Sequence, residues 1–171
     1  MNNIQQPKEG EYANYFNGYL ALNSTKPYQE QLMTQIQSCF SLFETKGEDW
    51  ANKAYATGKW TPKEVLGHVI DTERIMTFRA LCFARGEKSP LPGFEQDEYV
   101  ANAEFNQVHF QDLLEDFKNQ RLALLSLIKT LPEESLSNLG TASGNSVSPR
   151  ALFWIIPGHF AHHFSILKER Y

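Results

Sequence analysis

The sequence predicts an all-α protein, a four-helix bundle preceded by a short helical lead-in. Four stretches carry apolar residues at helical spacing of three and four, and loop-forming runs of about ten residues separate them. No segment alternates convincingly with a period of two, so no sheet is expected. With 171 residues the chain is read as one domain spanning 1–171, large enough to bury about 70% of its unfolded surface without disulfides.

Glu11 to Leu22 is short and aromatic and ends in the turn-forming Asn23-Ser24-Thr25, which suits a lead-in or lid. From Pro27 to about Lys46, Leu32, Ile36, Cys39, Phe40 and Phe43 mark the first long amphipathic helix, with Gly47 as its stop. Thr61-Pro62-Lys63-Glu64 then supplies a cap, a first-turn proline and an acidic first turn for a second helix running to about Arg85. Its most apolar line holds Val65, Val69, Met76 and Phe83, with His68, Thr72 and Ile75 along the edge. Gly86 to Gln96, with two prolines and two glycines, is a connecting loop of the kind that forms the mouth of a site. A third helix is expected over Asn102 to Thr130, through Phe105, Leu113, Phe117, Leu124 and Ile128. Leu136 to Val147 reads as a second flexible loop, and Ser148-Pro149 caps and starts the last helix.

Composition narrows the function. The net charge is -4 and the basic residues are scattered, which argues against a nucleic acid as main partner. No run of 18 apolar residues and no signal-like N-terminus occurs, so a non-membrane, non-secreted, cytoplasmic protein is expected. Cys39 and Cys82 lack metal-ligand spacing or a neighbouring base, and suggest neither a disulfide framework nor a catalytic thiolate.

The last helix carries the chemistry. His159 and His163 lie one turn apart, on the same face as Leu152, Ile155, Ile156, Ile166 and Leu167, whereas Trp154, Ser165 and Lys168 fall opposite. Pro157 lacks the amide that would bond the Phe153 carbonyl, so a kink is expected just before His159. Inward imidazoles need a hydrogen-bond partner or a metal, and a pair one turn apart suits a metal; the other reading is two core histidines bonded to carbonyls or water. His68 is the candidate third ligand. Three neutral histidines on one divalent ion leave a position open for water, a thiol or a substrate oxygen. Imidazole suits zinc, nickel, copper or iron. Phe160 stands where the HExxH metalloprotease motif has its glutamate, so a base must come from elsewhere. Asp71, three residues beyond His68, and His162 are the candidates, against solvated or positioning roles for each.

Lys59-Trp60-Thr61-Pro62-Lys63-Glu64-Val65-Leu66-Gly67-His68 through Arg74, then Pro90-Leu91-Pro92-Gly93-Phe94, then Gly158-His159 with His162-His163 and Ile166 to Tyr171, together resemble the DinB-like (damage-inducible) superfamily of metal-dependent enzymes. The resemblance covers nearly the whole chain. It implies a four-helix bundle with a crossover connection, usually a homodimer, holding nickel or zinc on a triad that maps onto His68, His159 and His163. Enzymes in that superfamily transfer low-molecular-weight thiols such as bacillithiol or mycothiol, and one isomerase depends on a thiol. The implied function is a thiol-dependent S-transferase or a hydrolase acting on a small electrophilic molecule; the alternative is a non-catalytic metal- or ligand-binding stress-response protein. Members close to this pattern often have an acid where this chain has Phe160.

Overall fold

A computed structural model describes residues 4–171. After the lead-in helix α1 (Asn17–Ala21), the long helices are α2 (Tyr28–Ala51), α3 (Pro62–Ala84), α5 (Phe110–Lys129) and α6 (Pro149–Arg170), with a short α4 (Gln96–Ala103) between α3 and α5. The four long helices form the bundle. Both α2 and α3 pack against α5 and α6, so α2 and α3, consecutive in the chain, sit across a diagonal. An up-down-up-down chain would make consecutive helices neighbours; here the α2–α3 and α5–α6 connections cross the ends of the bundle instead, and only α3 and α5 are both consecutive long helices and neighbours.

Local chemistry sets the helix starts as expected. Thr61 accepts from the Glu64 amide while the Glu64 carboxylate accepts from the Thr61 amide at 2.7 Å, a complete capping box. Ser148 accepts from the Ala151 amide at 3.0 Å ahead of Pro149.

Several expectations need correction. Gly47 does interrupt α2 as expected, with non-helical backbone at φ 77°, but a second short helical run beyond it carries the element on to Ala51. The expected Asn102 to Thr130 helix is broken into the end of α4, a 3-10 turn (Phe105–Gln107) and α5. Glu104, at φ 51°, ends α4, and His109 caps α5 by accepting from the Gln111 amide. Phe105 matched the helical spacing because its ring packs on the core, but it does so, partly buried, from a 3-10 turn against Gly67, where a β-carbon would collide with its ring. The second loop contains a small antiparallel hairpin, β1 (Gly140–Ala142) and β2 (Asn145–Val147), turned by Ser143 and Gly144, both at positive φ. That hairpin also pairs with Leu91, which joins the two loops to each other. Trp154 faces no solvent: it is 4% exposed, and its indole donates to the Gln5 carbonyl at 2.7 Å beneath the N-terminal segment.

The core divides into two apolar clusters. One gathers Leu32, Met76, Phe83, Leu124 and Phe153; the other gathers Ile36, Phe43, Val69, Phe117 and Phe160. Polar side chains cross the bundle between them, including Gln35, Glu73 and Arg121 on one flank and His68 and His159 on the other. α6 runs through Pro157, and the Phe153 carbonyl it leaves free accepts from the Tyr28 hydroxyl at 2.9 Å. The Trp154 carbonyl accepts from Asn23 at 3.0 Å and the Pro157 carbonyl from Gln35 at 2.9 Å. Gly158 lets the Tyr19 backbone sit directly on α6, where any β-carbon would strike it.

Candidate metal centre

The capping box at Thr61 fixes where α3 begins, and two turns later His68 points into the bundle, 3% exposed. On α6, His159 is 4% exposed and His163, one turn on, is partly buried. Trp60 packs against the His68 ring at 5.0 Å between centroids, and Tyr19 meets the His159 ring edge-on at 5.4 Å. Both aromatics hold their imidazoles in place without offering them a polar partner.

The three rings converge through one type of atom. His68 Nε2 lies 3.2 Å from His159 Nε2, and His163 Nε2 lies 3.1 Å from the same nitrogen. Every donor of the set is within 4.8 Å of the others. A neutral imidazole nitrogen carries either one proton or one lone pair, so His159 Nε2 cannot satisfy two facing nitrogens with good geometry. Ligands about 2.0–2.1 Å from a tetrahedral ion stand about 3.3–3.4 Å apart, close to the observed separations. The donor set therefore fits a single ion.

Electrostatics leaves the rings in ligand form. Burial pushes the His68 pKa down to about 4. Burial, then the neighbouring imidazoles, takes His163 to about 3, and the same causes hold His159 well below its ordinary value. At neutral pH all three are uncharged and able to donate a lone pair. His68 Nδ1 makes a long contact with Thr72 Oγ1 at 3.5 Å, which suits a proton on Nδ1 and leaves Nε2 free. His159 Nδ1 is buried without a protein partner among the described residues.

Beside the triad is a cavity of about 420 Å³ bordered by His68, His159, Thr72 and Tyr19. Phe94 from the first loop and Ser143 from the second also line it, so both loops border the same cavity as His68 and His159. The lead-in covers it through Tyr15, Phe16 and Tyr19.

The two expected acid–base groups lie outside that cavity lining. Asp71 sits on the outer flank of α3, 3.9 Å from Arg74, because three residues of helix carry it past the inward arc that holds His68. His162 is exposed, its ring edge-on to Tyr19 at 5.6 Å and to His163 at 5.0 Å. Phe160 is buried, stacked on Phe117 and Phe164, with the Arg121 guanidinium 4.8 Å from its ring. Sequence reasoning missed Tyr19 and Arg79. For Arg79 a signal existed: it lies eleven residues after His68, about three whole turns, and so on nearly the same face.

Residues 31–167 match the DinB superfamily. The chain belongs to that superfamily. No curated protein matches it in sequence. Among solved structures it is similar to YfiT from Bacillus subtilis, described as a probable metal-dependent hydrolase with an unusual four-helix bundle topology. The TM-score is 0.68 over 97% of this chain and 93% of that one, at 13% identity. Identity that low shows a shared fold, so the DinB superfamily bundle is common ground and the reaction is a separate question. No helix of the described residues is long and apolar enough to cross a membrane.

Proposed function

We propose that the protein is a metal-dependent enzyme in which His68, His159 and His163 hold one divalent ion, nickel or zinc. Its substrate would be a small electrophilic molecule, attacked by a low-molecular-weight thiol or by water. One observation carries this reading: three neutral imidazoles, two buried and one partly buried, aim their Nε2 atoms at a common point that borders an open cavity. That cavity is also what separates an enzyme from a metal store, since a closed coordination shell leaves nothing for a substrate. The description of YfiT agrees with the hydrolytic arm.

A divalent ion bound there supplies a Lewis acid and depresses the pKa of a water or thiol. The chain's own residues do the rest. Thr72 sets the His68 ring, Trp60 and Tyr19 exclude water from two sides of the triad, and the two joined loops admit the substrate. His162, against Tyr19 and His163, is the group we assign to proton movement. Asp71 would act only from the outer flank of α3. The superfamily resemblance adds a homodimer, while the chain length and the cysteine usage favour a single domain in the cytoplasm.

The test is metal analysis followed by turnover. Purified protein should carry close to one ion per chain, and His68→Ala and His163→Ala should carry none. The nickel- or zinc-loaded protein should then consume a model electrophile with a thiol, or hydrolyse an aryl ester. Metal retained in both variants would sink the proposal.

A further inference from the structure

The cavity beside the triad is also bordered by Arg79, which is 9% exposed. Other arginines inside or against the bundle have acids: Arg121 pairs with Glu73, Arg150 with Glu11 at 3.1 Å, and Arg74 with Asp116. Arg79 has no carboxylate within 4.0 Å among the described residues. One nitrogen, Nη2, donates to the Pro92 carbonyl at 2.7 Å and to Ser143 Oγ at 3.1 Å, one contact in each loop. Nη1 and Nε have no protein acceptor among the described residues. The Phe94 ring stands 5.9 Å from the guanidinium carbon. Burial lowers the Arg79 pKa, as expected for a desolvated cation without a counter-charge.

A guanidinium held by one nitrogen, with its other donors free in a cavity, is arranged to receive an oxyanion in a forked hydrogen bond. We infer that Arg79 is an anion-recognition subsite of this cavity, and that the molecule taken up carries a carboxylate. Two exposed acids on the same cavity, Glu95 and Asp97, oppose a polyanion and favour a single negative charge. Arg79 and His68 are about 16 Å apart along α3, and the arginine side chain leans back toward His68. The ligand is therefore an extended monocarboxylate, anchored at one end, whose other end reaches the histidines. The role given to that other end rests on the enzyme reading above; the binding of the carboxylate does not.

Fluorine NMR of 4-fluorobenzoate against 4-fluorobenzamide, with metal-free and with zinc-loaded protein, tests the inference. Wild-type protein should bind the acid more tightly than the amide by about tenfold, as one charge-assisted forked contact provides, in both metal states. Arg79→Gln should abolish the preference with zinc content unchanged. Ser143→Ala, which removes a loop contact but keeps the cation, should retain the preference. The wild-type Arg79 Nε–H resonance, assigned by its loss in Arg79→Lys, should shift with the acid and not with the amide, a readout independent of whether Arg79→Gln folds. Equal binding of acid and amide, a preference surviving in Arg79→Gln, or an unmoved Arg79 resonance would overturn the subsite. If the wild type binds no metal yet prefers the acid, the enzyme reading fails and the subsite stands; if it binds zinc without that preference, the reverse holds.

Discussion

Two polar groups lie inside the same bundle, and they differ in whether their valences are filled. Around Arg121 nearly everything is paired. Its Nε donates to Glu73 at 3.0 Å, its Nη1 to Gln35 at 2.8 Å, and Gln120 donates to the same carboxylate at 3.1 Å. Gln35 carries the chain onward to the Pro157 carbonyl, and the guanidinium face covers Phe117 at 4.2 Å. Around His159 the nitrogens point at one another instead, with too few protons to bond them all. A buried network that satisfies itself fixes the packing of helices. One that does not is waiting for something the chain lacks, which is why we place the chemistry at the histidines and the architecture at the ion pair.

The sharpest way to break this contrast is to cut each side separately. His159→Ala should lower metal affinity by at least about a hundredfold, read by elemental analysis after dialysis, because it removes the nitrogen the other two face. It should leave the metal-free protein folded. Arg121→Met should do the opposite: it strands the buried Glu73 carboxylate and should destabilise the fold by about 3–5 kcal/mol in urea, while the histidines stay in place. The double variant Glu73→Leu with Arg121→Met should recover much of that loss. If Arg121→Met abolished metal binding without loss of stability, the division of labour would be wrong.

Smaller effects sharpen the comparison. Tyr28→Phe removes the hydroxyl that takes up the Phe153 carbonyl freed by Pro157, and should cost about 1–3 kcal/mol of stability by denaturant titration. pH provides a graded test in the metal-free protein. In the unfolded chain the histidines take up protons near 6.5, whereas folded His68 and His163 resist until about 4 and about 3. Their contribution to stability is thus complete above about pH 6.5 and is lost as pH falls toward 4. The urea midpoint should drop between pH 7.5 and 5, and drop less in His163→Asn. The smallest change belongs to Asp71→Asn: on the outer flank beside Arg74, it should leave metal content unchanged and stability within about 0.5 kcal/mol.

Much of this was readable from local rules. Ser148-Pro149 and Thr61-Pro62 announced two helix starts because caps involve residues three apart, and His159 with His163 announced a shared face because one turn does the same. Phe105 misled because packing onto the core, not helicity, produced its spacing; the space above Gly67 that receives it belongs to another helix. A helical wheel puts Trp154 opposite the inward face, but it cannot see the N-terminal segment that covers that side. Arg79 lay on a legible face, yet the sequence could not show that, among the buried arginines of the described residues, it alone lacks an acid.

By itself, then, the sequence determined the helical class, the main helix starts and the three imidazoles as a set, because each depends on residues within a turn or two or on a motif pattern shared with the superfamily. Tertiary structure decided the distance between His68 and His159, ninety-one positions apart, and the cavity at their side. It also decided that Asp71 turns away while Arg79 turns in. Those outcomes follow from how four helices pack against one another, a balance of many weak contacts that no short stretch of chain contains.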